Sequence, residues 1–222
     1  MKKKLFWVMV ILFLGWSAGV KAVEDEVDYW KTQFYIQCTE EVQEDEGVVS
    51  FIFQNGSGTL YRSNGKCWVI TAYHVVDNCF AELFDQSGIK YQPEEIIAVP
   101  DIDLAFIKIS RELCPIKKAI SKFGKFRFNR FNSQKLKVLS YPLNKKTFSI
   151  GQLLFLDQDF GLGRDQKINQ GSSGAGVFYK NRYIGMITAI LSEKESLAPS
   201  GIYLFLPAAK IESILEGEII KE

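Results

Sequence analysis

Residues 169–178 read NQGSSGAGVF, and the interpretation of the whole chain depends on this stretch. Two adjacent serines, Ser172 and Ser173, lie in a run of glycine and alanine that leads directly into strand-like apolar residues. Glycine tolerates the backbone conformations that a turn needs when its amide groups must face a ligand. A flexible linker would separate domains, whereas this run lies inside a β-rich region. The stretch therefore predicts a serine held for nucleophilic chemistry.

A serine hydroxyl becomes an effective nucleophile only beside a base. The 222-residue chain contains one histidine, His74, which follows the strand-like segment Trp68–Thr71. A carboxylate must then orient the imidazole and stabilise its charged form. Asp103 begins an apolar strand, where an acid is costly unless it has a partner. Asp101 is the alternative, and both acids could instead be ordinary turn residues.

Three short motifs, in the order His, Asp, Ser, resemble those of chymotrypsin-fold serine proteases. TAYHV at 71–75 resembles T-A-x-H, DLAFI at 103–107 resembles D-[IL]-A-[LV]-[LI], and GSSG at 171–174 resembles G-[DN]-S-G. Residues 167–174 and 183–189 are similar to runs of the bacterial HtrA-type group, and glutamyl endopeptidases are the other similar group. The resemblance spans roughly residues 47–215.

This resemblance implies a fold and a reaction. The fold is all-β, with two antiparallel six-stranded β-barrels, the site between them and a C-terminal helix. The implied triad is His74, Asp103 and Ser173, and the backbone amides of Gly171 and Ser173 form the oxyanion hole. We expect an exported serine endopeptidase that acts on proteins or peptides through an acyl-enzyme, with no cofactor and no metal.

Two departures from the family pattern bear on activity. Ser172 replaces the usual Asp or Asn, so activation through pairing with a newly freed N-terminus is not expected. Tyr73 replaces a small residue beside His74, and it either crowds the site or packs outward. The chain ends soon after the helix, so we expect no PDZ domain of the kind that HtrA relatives carry.

The resemblance also places a specificity pocket between two segments. The predicted lining residues are Lys167, Ile168, Asn169 and Gln170 on one side and Ile187, Thr188, Ala189 and Ile190 on the other. Trypsin-like enzymes have an Asp at the position of Lys167, where it binds a basic substrate side chain. The absence of this Asp argues against a preference for basic side chains. No histidine is spare for a glutamate pocket, although Lys167 could attract an acidic side chain. We weakly favour a pocket that takes a small or medium apolar substrate side chain.

Apart from the motifs, the apolar pattern itself predicts many short strands and one helix. The predicted strands are Val48–Phe53, Thr59–Arg62, Trp68–Thr71, Ala81–Phe84, Ile96–Val99, Leu104–Ile109, Lys135–Ser140, Gln152–Leu156, Gly176–Tyr179, Tyr183–Ile190 and Ile202–Leu206. Helical spacing of apolar residues occurs only in Pro207–Leu215. This pattern indicates a barrel or sandwich rather than βαβ units.

The chain divides into five predicted segments. Residues 1–22 combine lysines, an apolar run and a small-x-small site at Ala22, which predicts a cleaved signal peptide and export to the periplasm or beyond; an uncleaved anchor is the alternative. Residues 23–46 form an acidic, exposed lead-in. The remaining segments are the first barrel at 47–116, a basic segment at 117–137 and the second barrel with the helix at 138–222.

Four cysteines in an exported chain predict two disulfides. Three pairings are possible, and we favour Cys67–Cys79, which flank the His74 segment, leaving Cys38–Cys114. Unpaired buried cysteines are the alternative. Their wide spacing argues against zinc.

Residues 117–137 contain eight basic side chains and no acid, interleaved with phenylalanines. We expect a solvated connection between the barrels, and a surface for a polyanion is the alternative. The overall formal charge of +1 offers no reason to expect nucleic-acid binding. Two other functions remain open. One is a protease-fold binding protein with little catalysis, and the other is an adhesion module that uses the basic segment. The oligomeric state cannot be predicted.

Overall fold

The structure is a computed structural model that describes most of the chain between Tyr29 and Ile219. The described residues are 29–43, 49–110, 112, 114, 120, 134–142, 145–192 and 199–219. They form two β units that we call the first sheet and the second barrel. The predicted signal peptide and most of the basic segment 117–137 lie outside the described residues.

The first sheet contains seven antiparallel strands. They are β1 (Gln33–Gln43), β2 (Val49–Ser63), β3 (Lys66–Thr71), β4 (Phe80–Phe84), β5 (Lys90–Tyr91), β6 (Pro93–Val99) and β7 (Leu104–Ile109). Their spatial order is β5-β4-β1-β2-β3-β7-β6. This unit is a half-barrel sheet of seven strands, where the sequence predicted a closed barrel of six. Its edge strands β5 and β6 are consecutive in the chain and are joined through Gln92, and Pro93 has no N–H to donate to a ladder.

The second barrel is closed and has the six antiparallel strands that were predicted. They are β8 (Gln134–Ser140), β9 (Thr147–Leu156), β10 (Gly161–Arg164), β11 (Gly176–Tyr179), β12 (Arg182–Ser192) and β13 (Pro199–Pro207), in the closed order β10-β13-β12-β11-β8-β9. The helix α1 (Ala208–Ile214) follows, with a π-helical turn over Leu215–Ile219. The all-β prediction with a C-terminal helix is confirmed.

The acidic lead-in prediction is wrong for Gln33–Gln43, which form β1 near the middle of the first sheet. Phe34, Ile36 and Cys38 alternate with more polar residues, and all three are fully buried. This period of two is the sign of a half-buried strand. The acids at Glu40 and Glu41 obscured it because they lie at the far end of the same strand.

Both disulfides occur, but the favoured pairing is wrong: the bonds join Cys38 to Cys79 and Cys67 to Cys114. Strand register explains the observed pairs. Cys38 on β1 lies opposite Ala81 on β4, two residues after Cys79. Cys67 on β3 lies opposite the end of β7, from which the chain reaches Cys114 five residues later. Both bonds therefore cross-link the first sheet.

The core of the first sheet extends across the boundary between the two units. It contains Trp68 and Phe106 from the first sheet, and also Phe178 and Tyr183 from the outer face of the second barrel and Ile211 from α1. A separate core fills the second barrel. This shared apolar core packs the two units against each other, so that the strand ends of both units can contribute to one site. No helix in the described parts of the chain is long and apolar enough to cross a bilayer.

Candidate active site

His74 lies on a short turn directly after β3. Five of the six residues of β3 are buried, and the chain leaves the sheet at Thr71. A 3-10 turn, Tyr73–Val75, follows, and Val75 packs so closely on Gly56 that a Cβ there would lie 2.3 Å from it. With Val75 anchored in the core, His74 presents its side chain outward, and half of that side chain is exposed.

Asp103 lies immediately before β7, the strand that pairs with β3. Because Thr71 is opposite Ala105 in this ladder, the residues beyond Thr71 lie beside Asp103. Asp103 adopts a left-handed conformation, with φ of 54°, and its N–H donates to Pro100 O at 3.0 Å. This conformation is uncommon outside glycine, but it is several-fold more frequent in Asp and Asn than in other residues. The geometry turns the carboxylate toward the His74 turn.

The Asp103 carboxylate holds both the backbone and the ring of His74. Oδ1 accepts the His74 N–H at 2.9 Å, and the two carboxylate oxygens lie 3.0 and 2.9 Å from Nδ1. This arrangement favours the tautomer with the proton on Nδ1 and leaves the Nε2 lone pair free to accept a proton. Between the two candidate acids, the one that contacts His74 is Asp103.

The turn that carries Ser173 belongs to the second barrel but contacts the first sheet. Gly174 has φ of +80°, and a Cβ there would lie 1.9 Å from Ser57 O and 2.4 Å from Thr71 Oγ1. Only glycine permits this approach. The Ser57 N–H also donates to Ser173 O at 2.8 Å. The Ser173 turn is thereby placed against Thr71, the last residue of β3, which precedes His74 by three residues.

The two adjacent serines, Ser172 and Ser173, differ in their exposure to solvent. Ser172 is fully buried, and its Oγ contacts Ser140 Oγ at 3.3 Å and accepts the Asn169 N–H at the same distance. Ser173 is partly exposed. Within the described residues its hydroxyl makes no hydrogen bond to His74. Such bonds are often long in unliganded enzymes and tighten when substrate binds.

Backbone N–H groups in this turn fall into two sets. Those of Ser172, Gly174 and Ala175 donate to the carbonyls of Asn169, Ile187 and Ser172, at 2.9, 2.8 and 3.0 Å. Those of Gly171 and Ser173 have no acceptor in the described part of the chain. Two such N–H groups, two residues apart on one turn, can bind an anion that develops beside the Ser173 hydroxyl.

The predicted pocket segments flank the Ser173 turn, but their side chains differ in exposure. Ile168 and Ile187 are fully buried in the core of the second barrel, so their side chains do not line an open surface. Lys167, Asn169 and Gln170 are exposed. The remaining three, Thr188, Ala189 and Ile190, are partly buried. Backbone bonds between Ile187 and the turn join the two segments.

Tyr73, which precedes His74, contacts the first sheet and Asp77. Its ring packs against the core of the first sheet, and its hydroxyl donates to Asp77 Oδ1 at 2.5 Å. The bond to the carboxylate raises the pKa of Tyr73. The expectation that Tyr73 packs outward is wrong, because the core of the first sheet holds its ring.

Two residues near the site were missed by sequence analysis. Ser57 belongs to β2 and contacts the Ser173 turn through its backbone and its side chain. Asp165 is buried at the start of the pocket segment, where Oδ1 accepts the Lys167 N–H at 2.9 Å. Its charge adds to burial in raising the pKa of Tyr203. An acid followed two residues later by a polar residue is a turn signal that could have identified Asp165.

The fold is similar to those of known proteases. The HtrA-type protease AlgW, solved with a decapeptide, has a TM-score of 0.68 and 18% identity, over 88% of this chain and 67% of AlgW. The Rv3671c protease from M. tuberculosis, in its active form, has a TM-score of 0.64 and 14% identity, over 85% and 81%. The serine endoprotease from Yersinia pestis has a TM-score of 0.64 and 18% identity, over 87% and 64%.

At these identities the likeness concerns the fold. No curated protein sequence matches the chain. Residues 56–186, more than half of the chain, match the trypsin-like peptidase domain, and this range includes His74, Asp103 and Ser173. The chain therefore belongs to the trypsin-like peptidase family.

Proposed function

We propose that the protein is an exported serine endopeptidase that uses Ser173 as nucleophile, His74 as general base and Asp103 as the residue that orients the base. The observation that carries the proposal is the double contact of the Asp103 carboxylate with His74 Nδ1. This contact leaves Nε2 as the basic nitrogen, and the Ser173 turn packs against Thr71, three residues before His74.

The proposed reaction proceeds in two halves. Ser173 Oγ attacks the substrate carbonyl carbon while its proton moves to His74 Nε2. The carbonyl oxygen becomes an anion, which the N–H groups of Gly171 and Ser173 stabilise. The proton then passes from His74 to the leaving amine, the C–N bond breaks, and an acyl-enzyme remains. Water repeats the sequence with His74 as base, releasing the acid and restoring Ser173.

The substrate side chain next to the cleaved bond is proposed to lie between the two segments that flank the Ser173 turn. Of the eight residues predicted to line the pocket, Ile168 and Ile187 are buried in the barrel core, and Lys167 is the only charged residue among the other six. These six residues therefore offer no negative charge for a basic side chain. We propose preference for a small or medium apolar side chain. One methylene group changes such a preference by only about 1–3 kcal/mol, so peptide-library cleavage should decide it.

Export is proposed on the leader-like residues 1–22 and on the two disulfides, which form and persist in oxidising compartments. Fractionation of the producing cell should recover mature protein outside the cytoplasm, with an N-terminus at Val23. Recovery of unprocessed, reduced protein in the cytoplasm would contradict this part.

The test of the reaction is Ser173→Ala with the neighbouring Ser172→Ala as control. We expect Ser173→Ala to abolish peptide hydrolysis and labelling by a fluorophosphonate while circular dichroism stays unchanged. Ser172→Ala removes two long contacts of the hydroxyl, to Ser140 Oγ and to the Asn169 N–H, and should retain both activities. Hydrolysis that persists in a folded Ser173→Ala protein would refute the proposal.

A protease-fold binding protein is the alternative, and the missing hydrogen bond between Ser173 and His74 is the observation that favours it. Stoichiometric fluorophosphonate labelling of the wild-type protein at Ser173 would exclude it. An unlabelled protein that still binds unfolded polypeptides would support it.

A further inference from the structure

Ser57 connects the first sheet to the turn that carries the nucleophile. It lies in β2, is fully buried, and contacts this turn through two different groups. Its N–H donates to Ser173 O at 2.8 Å, and its hydroxyl donates to Gly171 O at 2.8 Å. Both acceptors belong to the other β unit. One residue thus holds two alternate carbonyl groups of the turn.

The direction of the Ser57 hydroxyl proton follows from its other neighbour. The N–H of Tyr141, directly after β8, donates to Ser57 Oγ at 2.9 Å. Since that contact uses Oγ as acceptor, the single hydroxyl proton is directed to Gly171 O. The carbonyl of Ser57 in turn accepts the Thr71 hydroxyl at 2.8 Å. Every polar group of this buried residue is therefore paired, as a buried polar residue requires.

These contacts determine the orientation of two peptide planes. A peptide group is planar and trans, so bonds at its C=O and at its N–H together fix the plane. The peptide between Gly171 and Ser172 is held by Ser57 Oγ at one end and by Asn169 O at the other. The peptide between Ser173 and Gly174 is held by the Ser57 N–H and by Ile187 O.

The peptides that alternate with these two carry the N–H groups of Gly171 and Ser173. Those groups have no acceptor among the described residues, and they are the proposed oxyanion donors. The flanking planes restrict where the nitrogens of Gly171 and Ser173 lie. The peptide that carries the Ser173 N–H is also held at its other end, because the Ser172 carbonyl accepts the Ala175 N–H at 3.0 Å. We propose that Ser57 is a positioning residue for the reaction, which sets the oxyanion donors through Gly171 and Ser173. This inference rests on the proposed function.

The test compares Ser57→Ala with Ser149→Ala. Ser149 is a second buried serine on β9 in the second barrel, and its hydroxyl has no hydrogen-bond partner among the described residues. Removal of an oxyanion donor costs about 100- to 1000-fold in kcat, so loss of its positioning should cost about 10- to 100-fold. We expect Ser57→Ala to lower kcat by that factor with KM within about twofold of wild type. Ser149→Ala should leave both unchanged.

A second readout separates positioning from general stability. A peptide aldehyde forms an oxyanion on Ser173, whereas the matching peptide alcohol has no carbonyl and cannot form one. Ser57→Ala should weaken binding of the aldehyde by the same factor as kcat and leave binding of the alcohol unchanged. Ser57→Thr, which keeps a hydroxyl, should restore most of the loss.

Three outcomes would overturn the inference: unchanged kcat in Ser57→Ala, equal weakening of aldehyde and alcohol binding, or failure of both Ser57 variants to fold. The last would make Ser57 a structural residue only. Failure of the proposed function is recognised separately, since wild-type protein would then not be labelled by the fluorophosphonate at Ser173.

Discussion

The first sheet and the second barrel are each stabilised internally by different means, and they position their parts of the site in different ways. The first sheet is open at its edges and carries both disulfides. It positions His74 and Asp103 through the register of two paired strands. The second barrel has no cysteine and is closed by hydrogen bonds. It positions Ser173 through a turn whose shape depends on contacts with the other unit.

The two parts of the site should therefore differ in their sensitivity to small shifts between the units. The His74–Asp103 pair lies within one sheet and should survive small shifts between the units. The Ser173 turn depends on Gly174 and Ser57 meeting across the boundary, so the same shifts should disorganise the proposed nucleophile and the proposed oxyanion donors. Each prediction below changes one side of this comparison.

The largest expected effect is that of Asp103→Asn, which changes the first sheet alone. An amide cannot stabilise the imidazolium and favours the wrong tautomer, so kcat should fall about 10⁴-fold while folding is retained. Steady-state kinetics and circular dichroism measure the two quantities. The control is Asp101→Asn, an exposed acid that should keep wild-type activity. Comparable losses in both variants would contradict the assignment of Asp103.

The second prediction concerns the removal of one of the two disulfides, both of which lie in the first sheet. The Cys38–Cys79 bond closes a loop with a sequence separation of 41, for which the chain-entropy model gives about 4 kcal/mol. The Cys38→Ala/Cys79→Ala double variant should lose about that much free energy of unfolding in a urea titration. Selective hydrogen exchange of the first sheet would sharpen the comparison. Equal destabilisation of β8–β13 would show that the units unfold as one.

The third prediction concerns the boundary. Gly174→Ala places a Cβ against the Ser57 carbonyl and forces a residue with φ of +80° out of its favoured region. A misplacement of about 1 Å costs about 100-fold in rate, and we expect a loss of this size in fluorophosphonate labelling. Gly65→Ala is the matched control, because Gly65 has φ of +76° with no neighbour within 4 Å. It should lose stability through backbone strain and keep its labelling rate.

The smallest expected effect is alkaline destabilisation through Tyr141, whose buried hydroxyl has no hydrogen-bond partner in the part of the chain that the structure describes. Burial, with a smaller contribution from the charge of Asp85, raises the pKa of Tyr141 to about 12. Because the folded pKa exceeds the unfolded value of 10.0, the contribution to stability is complete below about pH 10 and is lost as pH rises through about 12. Urea titrations of wild type and Tyr141→Phe across this range measure the difference. A Tyr141→Phe protein with an unchanged pH profile would assign the alkaline loss to other buried tyrosines.

Most strands could be predicted from the chain because apolar alternation is a local property. Gly176–Tyr179 and Leu104–Ile109 form strands with the predicted bounds. The strand β10 was missed, since Gly161 and Gly163 offer no side chain to reveal a period. Its glycines accommodate the rings of Phe205 and Tyr203, which no local pattern shows. The same reason applies to the disulfides, whose pairing depends on which strands become neighbours.

The sequence alone determined the family, the candidate base, acid and nucleophile, and the β class, because each of these is written in residue types at short spacing. The tertiary structure decided which acid contacts His74, which serine is buried, how the cysteines pair, and that Ser57 reaches the Ser173 turn. These are relations between residues far apart in the chain. Only the pairing of strands within each unit and the packing of the two units bring such residues into contact.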